Sequence, residues 1–476
     1  MENGDFRRTI GPVGAGALIA GSMIGTGIFI FVADVAAHLP SAGAIIAAWA
    51  VGAGIASCGA LCLAELASAW PRTGGIYVFL ERAFGPQVGF LYSWAKFLIM
   101  RTGTLGILAV AFGGFCLSFL GLDAPPWVSK LIAIGAILAV TGINIVGVRA
   151  GMTVQNVLTA IKILCLLAII AVGAVFALGW LDVHAVELTP KAAKEGPFLL
   201  LFGAALIPVM WTFGGWDESP FVAEEVRNPT RNLPLSILGG LWLVAILFVA
   251  VNASYLAILS PGEVAGSTFT TAMAAMQRAT GSAAPRVLAL ALMISAFGAA
   301  NGFALTGGRI AYATGRGHAL FRWFAHTNPQ TKTPVRSLVL QAILTIIAIL
   351  VLKSPFQLLL YTGGAYWAFA ALTAVAVIVL RYREPDRPRA FRVWGYPVIP
   401  ILFAAASIGI GVAVVFENLW NALATVIILA VGVPVYLVSA AWDKDTPLEP
   451  PGGEAETTSD RPGHVSTEID HERDAD

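Results

Sequence analysis

The sequence predicts an all-helical integral membrane protein with about twelve transmembrane helices. Hydrophobic residues make up 57% of the 476 residues and charged residues only 12%, and the mean hydropathy is +0.79. A soluble chain carries about 25% charged residues, and one spanning helix needs roughly 20 apolar residues. Apolar runs of that length recur along the chain, and we expect span centres at about residues 25, 55, 105, 137, 166, 211, 246, 298, 343, 370, 405 and 429.

Two of the apolar segments are interrupted by glycine near the middle of the membrane. One covers residues 17–29 and is broken at residues 25–27, and the other covers residues 209–218 and contains the pair Gly214-Gly215. Such a break is tolerated only where it is buried in protein or lines a cavity, because lipid cannot satisfy the exposed backbone groups. Two breaks in the two halves of a chain indicate the binding site of an inverted-repeat transporter. A close-packing helix face is the alternative interpretation of either break taken alone.

The first break has the chemistry of an anion site. The half-helix that begins at Gly25, Thr26 and Gly27 is predicted to present unpaired N–H groups and the positive end of its dipole. Both features attract an anion such as a carboxylate. Because glycine carries no Cβ, a ligand can approach this backbone closely.

The helix segments that end before the breaks have the opposite chemistry. Their last carbonyls, at Met23, Trp211 and Gly214, are predicted to accept three N–H bonds from an ammonium group. An anion site beside an ammonium site is complementary to a zwitterionic α-amino acid. The sequence therefore predicts this class of ligand.

Ionisable side chains within the spans are further candidates, because they are costly in lipid and face a cavity or a partner. They are Glu65, Lys96, Arg101, Lys162, Asp217 and Glu218. Lys162 lies about eight residues into the fifth span, so it needs carbonyl or carboxylate partners unless it snorkels to the surface. Glu65 closely precedes Pro71 and Arg72 and is expected to pair with a loop cation.

Lys96 and Arg101 belong to the third span and stand five positions apart. An α-helix turns by about 100° per residue, which places the two cations on opposite sides of a helical wheel. Their roles are not assigned from the sequence. Asp217 and Glu218 follow the second break directly.

The other polar residues exclude several functions. The cysteines, Cys58, Cys62, Cys116 and Cys165, lie in apolar segments without metal-site spacing, and we interpret them as core residues. The six histidines lie at span ends, in loops and in the tail and form no ligand set with the membrane carboxylates. We therefore expect no metal, no other cofactor and no enzyme activity. The net charge of +1 gives no indication of nucleic-acid binding.

Basic residues are distributed unevenly between the two sides of the predicted membrane. Most of the 29 Lys and Arg fall on the side of the N-terminus, including the cluster at residues 381–392. The positive-inside rule therefore predicts a multi-pass protein of the cell membrane with both termini in the cytoplasm. Residues 442–476 are rich in Asp, Glu, Pro, Gly and Thr, a composition typical of a disordered acidic tail.

Several motifs, in order along residues 12–392, resemble those of the amino acid–polyamine–organocation transporters, and most closely their L-type amino acid transporter branch. The motifs are GSMIGTGIF at residues 21–29, PRTGGIY at 71–77, FGP at 84–86, VQNVLTAIK at 154–162, FGGW at 213–216, NPTRNLP at 228–234 and SAFGAANG at 295–302. The resemblance implies a LeuT-like fold, with two inverted repeats of five helices each and with helices 1 and 6 broken.

The resemblance also implies the division of the chain. We expect a cytoplasmic N-terminus over residues 1–11, the first repeat over 12–180 and the second repeat over 196–383. Two more helices are expected within residues 397–441, followed by the tail over 442–476.

Carried over to this sequence, the resemblance implies a substrate site formed by Met23, Ile24, Gly25, Thr26, Gly27, Trp211, Phe213, Gly214, Gly215, Asp217, Asn301, Phe303 and Tyr366. Trp367 is expected at the same wall or gate as Tyr366. In relatives coupled to sodium, a sodium ion occupies the place of Lys162, so sodium-independent transport is implied. Lys162 is then expected to bond carbonyls near Gly21 and Ser22, and Asp217 falls where some members carry an acid involved in proton or cation sensitivity.

The implied function is transport of α-amino acids by alternating access, either as an exchanger or as a proton-linked permease. A carrier of polyamines or cationic amino acids is one alternative, with Asp217 and Glu218 as counter-charges, and an amino acid sensor of the same fold is another. The loop at residues 121–126 lacks the cysteine with which animal members of the branch bind an ancillary glycoprotein. We therefore expect a prokaryotic source and no disulfide-linked subunit. The expected partners are an amino acid, the lipid bilayer and, in the proton-linked case, protons.

Overall fold

The computed structural model describes residues 6, 8–184, 186, 188–267, 270–351, 355–417 and 419–443. In chain order its α-helices are α1 Pro12–Met23, α2 Gly27–Ile30, α3 Val32–His38, α4 Ala42–Ala69, α5 Ile76–Phe84, α6 Pro86–Ala95, α7 Thr102–Leu120, α8 Pro126–Val146, α9 Val148–Ala177, α10 Phe198–Thr212, α11 Pro229–Ile258, α12 Pro261–Gly266, α13 Thr271–Thr280, α14 Ala284–Gly317, α15 Val335–Val351, α16 Pro355–Arg383, α17 Val398–Glu417 and α18 Leu419–Asp443. A π-helical segment, Lys96–Arg101, joins α6 to α7, and 3₁₀ helices cover Ser219–Glu225 and Ala319–Ala325. The prediction of an all-helical chain is confirmed.

The described residues include ten helical stretches that are long and apolar enough to cross a membrane, and two shorter apolar helices, α10 and α15. Each of these helical stretches contains one of the predicted span centres. A multi-pass membrane protein is therefore confirmed, while the number of crossings and the inverted repeats stay predictions. Of the expected tail, residues 444–476 lie outside the described residues, as do residues 1–5 and 7 of the expected N-terminal segment.

The first span and α14 lie at the centre of the bundle. We compare the most apolar 18-residue stretch of each span. In the first span, Pro12–Ile30, 72% of this stretch is buried within the protein, and in α14 the share is 67%. The corresponding shares are 22% for α9 and 17% for the last span. Polar groups that have to be shielded from lipid are therefore best placed around the first span and α14.

The first break lies between the end of α1 at Met23 and the start of α2 at Gly27. Within it, the N–H of Gly25 donates to the carbonyl of Met23 at 2.8 Å, which closes a tight turn. The chain then continues into the first turn of α2, where the N–H of Phe29 donates to the carbonyl of Thr26 at 3.1 Å. The predicted interruption at residues 25–27 is thus confirmed.

The second break begins where α10 ends, at Thr212, and helical structure resumes at Ser219. Gly215 has a φ of +112°, which glycine tolerates and residues with a Cβ do not. A Cβ on Gly215 would lie 3.0 Å from the backbone nitrogen of Met23 and 3.0 Å from the carbonyl carbon of Ser22. The two breaks are therefore in direct backbone contact, and that contact requires glycine.

Glu65 fixes the end of α4 to the segment that follows α16. Its carboxylate lies 2.6 Å from a guanidinium nitrogen of Arg381 and 3.4 Å from Arg389, and it accepts a bond from the N–H of Val393 at 2.7 Å. The expected pairing of Glu65 with a loop cation is met by Arg389, which follows the end of α16, but the nearer partner, Arg381, belongs to the last turn of α16 itself.

Candidate functional site

A cavity lies between the two breaks, beside the π-helical segment, α14 and α16. It contains about 750 Å³ of space that no atom occupies, a figure that includes the part open to solvent. The residues expected at the site from the sequence that line it are Met23, Gly25, Gly27, Trp211, Gly214, Gly215, Asp217, Phe303, Tyr366 and Trp367. The structure thus brings together residues from four separate parts of the chain.

The cavity also has lining residues that the sequence-based site did not include. They are Ser22, Lys96, Met100, Arg101, Thr104, Leu108, Met210, Thr212, Glu218 and Gly363. Lys96, Arg101 and Glu218 carry charge at membrane depth. Their charge made them candidates in the sequence, but they were not included in the predicted substrate site. Of the uncharged ones, Ser22 lies in the motif at residues 21–29, and the others gave no signal in the sequence.

Four residues expected at the site do not line this cavity, namely Ile24, Thr26, Phe213 and Asn301. The side chains of Ile24, Thr26 and Phe213 are fully buried in the protein. The ring of Phe213 packs against those of Trp49 and Phe248, with centroids 6.1 and 5.4 Å away. Ile24 and Phe213 belong to the hydrophobic core, whereas the hydroxyl of Thr26 is buried without a hydrogen-bond partner among the described residues.

Asn301 forms a structural link between helices instead. Its amide nitrogen donates to the carbonyl of Gly151 and to Oε1 of Gln155, both at 3.0 Å. Its Oδ1 accepts a bond from the amide of Asn144, also at 3.0 Å. Both N–H donors of the side chain are therefore engaged within the protein, and Asn301 joins α14 to α8 and α9.

Within the breaks, local turns use part of the predicted binding chemistry. The N–H of Gly25 donates to the carbonyl of Met23 at 2.8 Å, and the N–H of Gly214 donates to that of Trp211 at 2.9 Å. A carbonyl oxygen has two lone pairs, so Met23 keeps acceptor capacity for an ammonium group. The carbonyl of Trp211 also accepts from the N–H of Phe213, so both of its lone pairs are engaged in this conformation. The N–H of Gly25 is engaged in this conformation, which shifts the predicted anion site toward residues 26 and 27.

A serine of α14 supports the first break from the opposite side. The hydroxyl of Ser295 lies 3.0 Å from the carbonyl oxygen of Ile24 and 3.0 Å from that of Gly25. Because these carbonyls have left the helical pattern, the hydroxyl replaces part of the bonding that the break removes. Ser295 is thus a residue that positions the break.

Lys162 has the carbonyl partner that the sequence led us to expect. Its Nζ donates to the carbonyl of Gly21 at 2.7 Å, and its side chain is 2% exposed. A Cβ on Gly298 would lie only 2.8 Å from Cε of Lys162, so the lysine reaches the first span by passing α14 at this glycine. The alternative in which Lys162 snorkels to the surface does not apply in this conformation.

Lys96 and Arg101 both face the cavity, contrary to the helical-wheel expectation. The expectation assumed α-helical geometry, in which five residues span about 500°, or 140° beyond a full turn. The two residues lie instead at the ends of the π-helical segment Lys96–Arg101. A π-helix bonds residues i and i+5 and so returns to nearly the same face after five positions. This wider turn is what brings both cations to the site.

Each cation is paired with a carboxylate from the end of the second break, just before helical structure resumes at Ser219. Nζ of Lys96 lies 2.9 Å from Oδ2 of Asp217. Nη2 of Arg101 donates to both carboxylate oxygens of Glu218, at 3.0 and 3.2 Å, and the hydroxyl of Thr306 also donates to Glu218. All four charged side chains are at most 6% exposed, so the pairs are desolvated.

Aromatic rings cover the two cations. Nζ of Lys96 lies 5.4 Å from the ring centre of Phe221 and 5.5 Å from that of Tyr366. The guanidinium of Arg101 lies 5.1 Å from the ring centre of Phe303. These distances are typical of cation–π contacts, which help to fix the cations at the cavity wall.

Another buried ion pair lies where the segment after the second break meets the start of the chain. Nε of Arg309 donates to Glu225 at 2.8 Å, and the two side chains are 1% and 0% exposed. The N–H of Ile10 donates to the carbonyl of Glu225 at 2.9 Å, and the N–H of Arg227 donates to that of Ile10 at 2.8 Å. This cluster ties α14 to both broken spans.

Comparison with known proteins gives concordant results. A family described as amino acid permease matches residues 10–435. The chain is 31% identical over 442 residues to the b(0,+)-type amino acid transporter 1 of Mus musculus, covering 92% of this chain and 89% of the relative. It is 30% identical over 440 residues to the serine/threonine exchanger SteT of Bacillus subtilis (strain 168), covering 91% and 97%. It is also 30% identical over 451 residues to the large neutral amino acids transporter small subunit 2 of Rattus norvegicus, covering 92% and 81%.

Proposed function

The chain belongs to the amino acid permease family, and we propose that it exchanges α-amino acids across the membrane, without sodium, at the cavity between its two breaks. The sequence-based prediction of an amino acid transporter is confirmed by the family match and by relatives that are themselves amino acid transporters. The proposal adds the site, the independence from sodium and the exchange mode. It rests above all on the backbone contact between the two breaks at the cavity wall.

The proposed ligand contacts come mainly from the backbone of the breaks. The amine of the substrate binds to the carbonyls of Met23, Trp211 and Gly214, and its carboxylate binds at the first turn of α2, at residues 26 and 27. The cavity is lined by Gly25, Gly27, Gly214 and Gly215. A Cβ on Gly27 would lie 2.6 Å from the hydroxyl oxygen of Thr212, and one on Gly214 would lie 2.9 Å from the carbonyl oxygen of Trp211, so glycine lets the two breaks pack closely around the site. Phe303 and Tyr366 form walls for the side chain.

Independence from sodium is supported by Lys162. Its ammonium group donates to the carbonyl of Gly21 in the first span, so a cation belonging to the chain stabilises the broken helix. A bound metal cation would need the same kind of oxygen ligand. We propose that Lys162 takes over this structural task permanently.

Exchange is favoured over proton coupling and over polyamine transport by the state of the acidic residues. A proton-linked mechanism needs a carboxyl that gains and loses a proton, and a polyamine site needs unpaired counter-charges. Asp217 and Glu218 are instead held by Lys96 and Arg101 at 2.9 and 3.0 Å. The serine/threonine exchanger among the relatives agrees with exchange as the mode.

The proposal also covers the membrane topology and the subunit composition. We propose twelve crossings, with inverted repeats over residues 12–180 and 196–383 and two more helices within 397–441. Both termini lie in the cytoplasm of a prokaryotic cell, and the protein acts without a disulfide-linked subunit. The uneven distribution of Lys and Arg supports the orientation, and the absence of cysteine from residues 121–126 supports the lack of such a subunit.

Counterflow in liposomes tests this function. Purified protein is reconstituted in vesicles preloaded with an unlabelled neutral amino acid, and uptake of the labelled amino acid is followed in sodium and in choline buffer. We expect label to accumulate equally in both buffers, and Lys162→Ala to lose most of the uptake. A strict requirement for sodium would contradict the role of Lys162, and absence of counterflow would favour the sensor alternative.

A further inference from the structure

Both carboxylates at the cavity already have a cationic partner from the protein. Lys96 and Arg101 contribute two positive charges, and Asp217 and Glu218 contribute two negative charges. Since each charge is within 3.0 Å of its partner, this part of the wall is neutral as a whole. A ligand side chain meets no charge that lacks a partner there.

The two pairs differ in how tightly they are held. Glu218 is clasped by the planar guanidinium of Arg101 through both oxygens and also accepts the hydroxyl of Thr306. Asp217 is held by a single described bond, from the ammonium group of Lys96 to Oδ2. Glu218 therefore accepts three described bonds, two from Nη2 of Arg101 and one from Thr306, whereas Asp217 accepts one from a lysine ammonium, which is a point charge on a flexible stem. The Lys96–Asp217 pair is therefore the one that a charged ligand could open more easily.

We propose that Lys96 acts as a built-in occupant of Asp217 and thereby limits the site to amino acids with uncharged side chains. The inference rests on the proposed transport function and adds the substrate class and the residue that sets it. A cationic ligand side chain would have to displace Lys96 from the carboxylate or lie next to it as a like charge. An anionic ligand side chain would have to displace Asp217 or Glu218 from its cation or lie next to these carboxylates as a like charge. Repulsion of this kind is a common means of excluding wrong partners.

The aromatic contacts show why Lys96 does not yield its place easily. Its ammonium group lies 5.4 Å from the ring centre of Phe221 and 5.5 Å from that of Tyr366. It is therefore stabilised from three directions, with Asp217 as the third. A competing substrate ammonium would have to replace all three interactions.

The native protein gives a first test with ligand pairs of matched size. Competition for labelled neutral amino acid in counterflow is measured for norleucine against lysine and for glutamine against glutamate. We expect the uncharged member of each pair to compete at least about tenfold better, which corresponds to about 1.4 kcal/mol. Equal competition by lysine or by glutamate would overturn the inference.

Charge-changing variants give the second test, with opposite expected outcomes. Lys96→Met leaves Asp217 without its cation and is expected to raise lysine uptake by about tenfold or more. Asp217→Asn leaves Lys96 without its anion and is expected to raise glutamate uptake to a similar extent. The double variant Lys96→Met/Asp217→Asn restores neutrality and should prefer uncharged substrates again. Lys130→Met, which lies outside the cavity lining, is the control.

The outcomes separate this inference from the proposed function. Loss of all counterflow by the native protein would remove the proposed function itself. Native exchange of neutral amino acids combined with folded single variants that gain no charged substrate would overturn the role of Lys96 alone. If one single variant does not fold, as judged by its elution profile in detergent, the other single variant tests the role of Lys96. The matched ligand pairs on the native protein then still test the exclusion of charged substrates.

Discussion

The contact between the two breaks can be tested with a single methyl group. We predict that Gly215→Ala destabilises the protein and abolishes transport. The added Cβ would lie 3.0 Å from backbone atoms of Ser22 and Met23, and backbone atoms of two packed segments cannot move aside as a flexible side chain can. The substitution therefore disturbs the contact between the two breaks at the wall of the cavity.

The expected magnitude has two parts. Holding a residue with a Cβ at a φ of +112° costs about 1–3 kcal/mol. Forcing an extra methyl group into a packed site costs about another 1–3 kcal/mol. The free energy of unfolding should therefore fall by about 2–6 kcal/mol, a large fraction of the margin of about 5–15 kcal/mol that proteins have.

Two measurements on detergent-purified protein and on proteoliposomes check this prediction. Thermal unfolding reports the loss of stability, and counterflow reports the loss of the site. Gly203→Ala is the matched control, because Gly203 lies in the same broken span and a Cβ there meets nothing within 4 Å. We expect this control to match or slightly exceed the native stability, since alanine favours a helix over glycine. Native stability and transport in Gly215→Ala would refute the close approach of the breaks.

Of three further predictions, two concern supports of the site and the third concerns the carboxyl of Glu81 in α5. Ser295→Ala removes the hydroxyl that bonds two carbonyls of the first break, so it should weaken substrate affinity in binding assays. Ser57→Ala is the control, because the described bond of its hydroxyl stays within its own helix, and it should leave the affinity unchanged. Glu225→Ala leaves Arg309 buried without its anion and should lower the free energy of unfolding by about 3–5 kcal/mol. The double variant Glu225→Ala/Arg309→Met should recover part of this loss. Equal stability of the native protein and both variants would contradict the importance of the ion pair. Burial raises the pKa of Glu81 from 4.5 to about 7, so the folded state keeps a proton that the unfolded state loses, and stability should fall as the pH rises between these values. Glu81→Gln should remove this fall in thermal unfolding measured against pH, and an unchanged pH profile would count against the raised pKa of Glu81.

The sequence was sufficient for the features that depend on composition and on backbone chemistry. Long apolar runs have few alternatives to membrane helices, and glycines in the middle of such a run interrupt it, so both breaks were located to within a few residues. Lys162 was interpreted correctly for the same reason, because a lysine that deep in a span needs an oxygen partner and Gly21 supplies one.

The sequence was insufficient where the result depends on the local helix type or on side-chain direction. The helical wheel separated Lys96 from Arg101 because it assumed 3.6 residues per turn, and the π-helical segment violates that assumption. Phe213 and Asn301 were assigned to the site from their positions in motifs. Their side chains point to Phe248 and to Gln155 instead, and that direction is set by the rotation of each segment in the packed bundle.

The central claim is that the backbone of the two breaks binds both the amine and the carboxylate of an α-amino acid. Competition between a transported amino acid and its decarboxylated amine in counterflow tests it most directly, because the two ligands differ only in the group that the first turn of α2 would bind. An unpaired N–H group left by the amine costs about 1–3 kcal/mol, so we predict that the amine competes roughly 5- to 150-fold less well. Equal competition by the amine would contradict the carboxylate site and would favour a polyamine carrier.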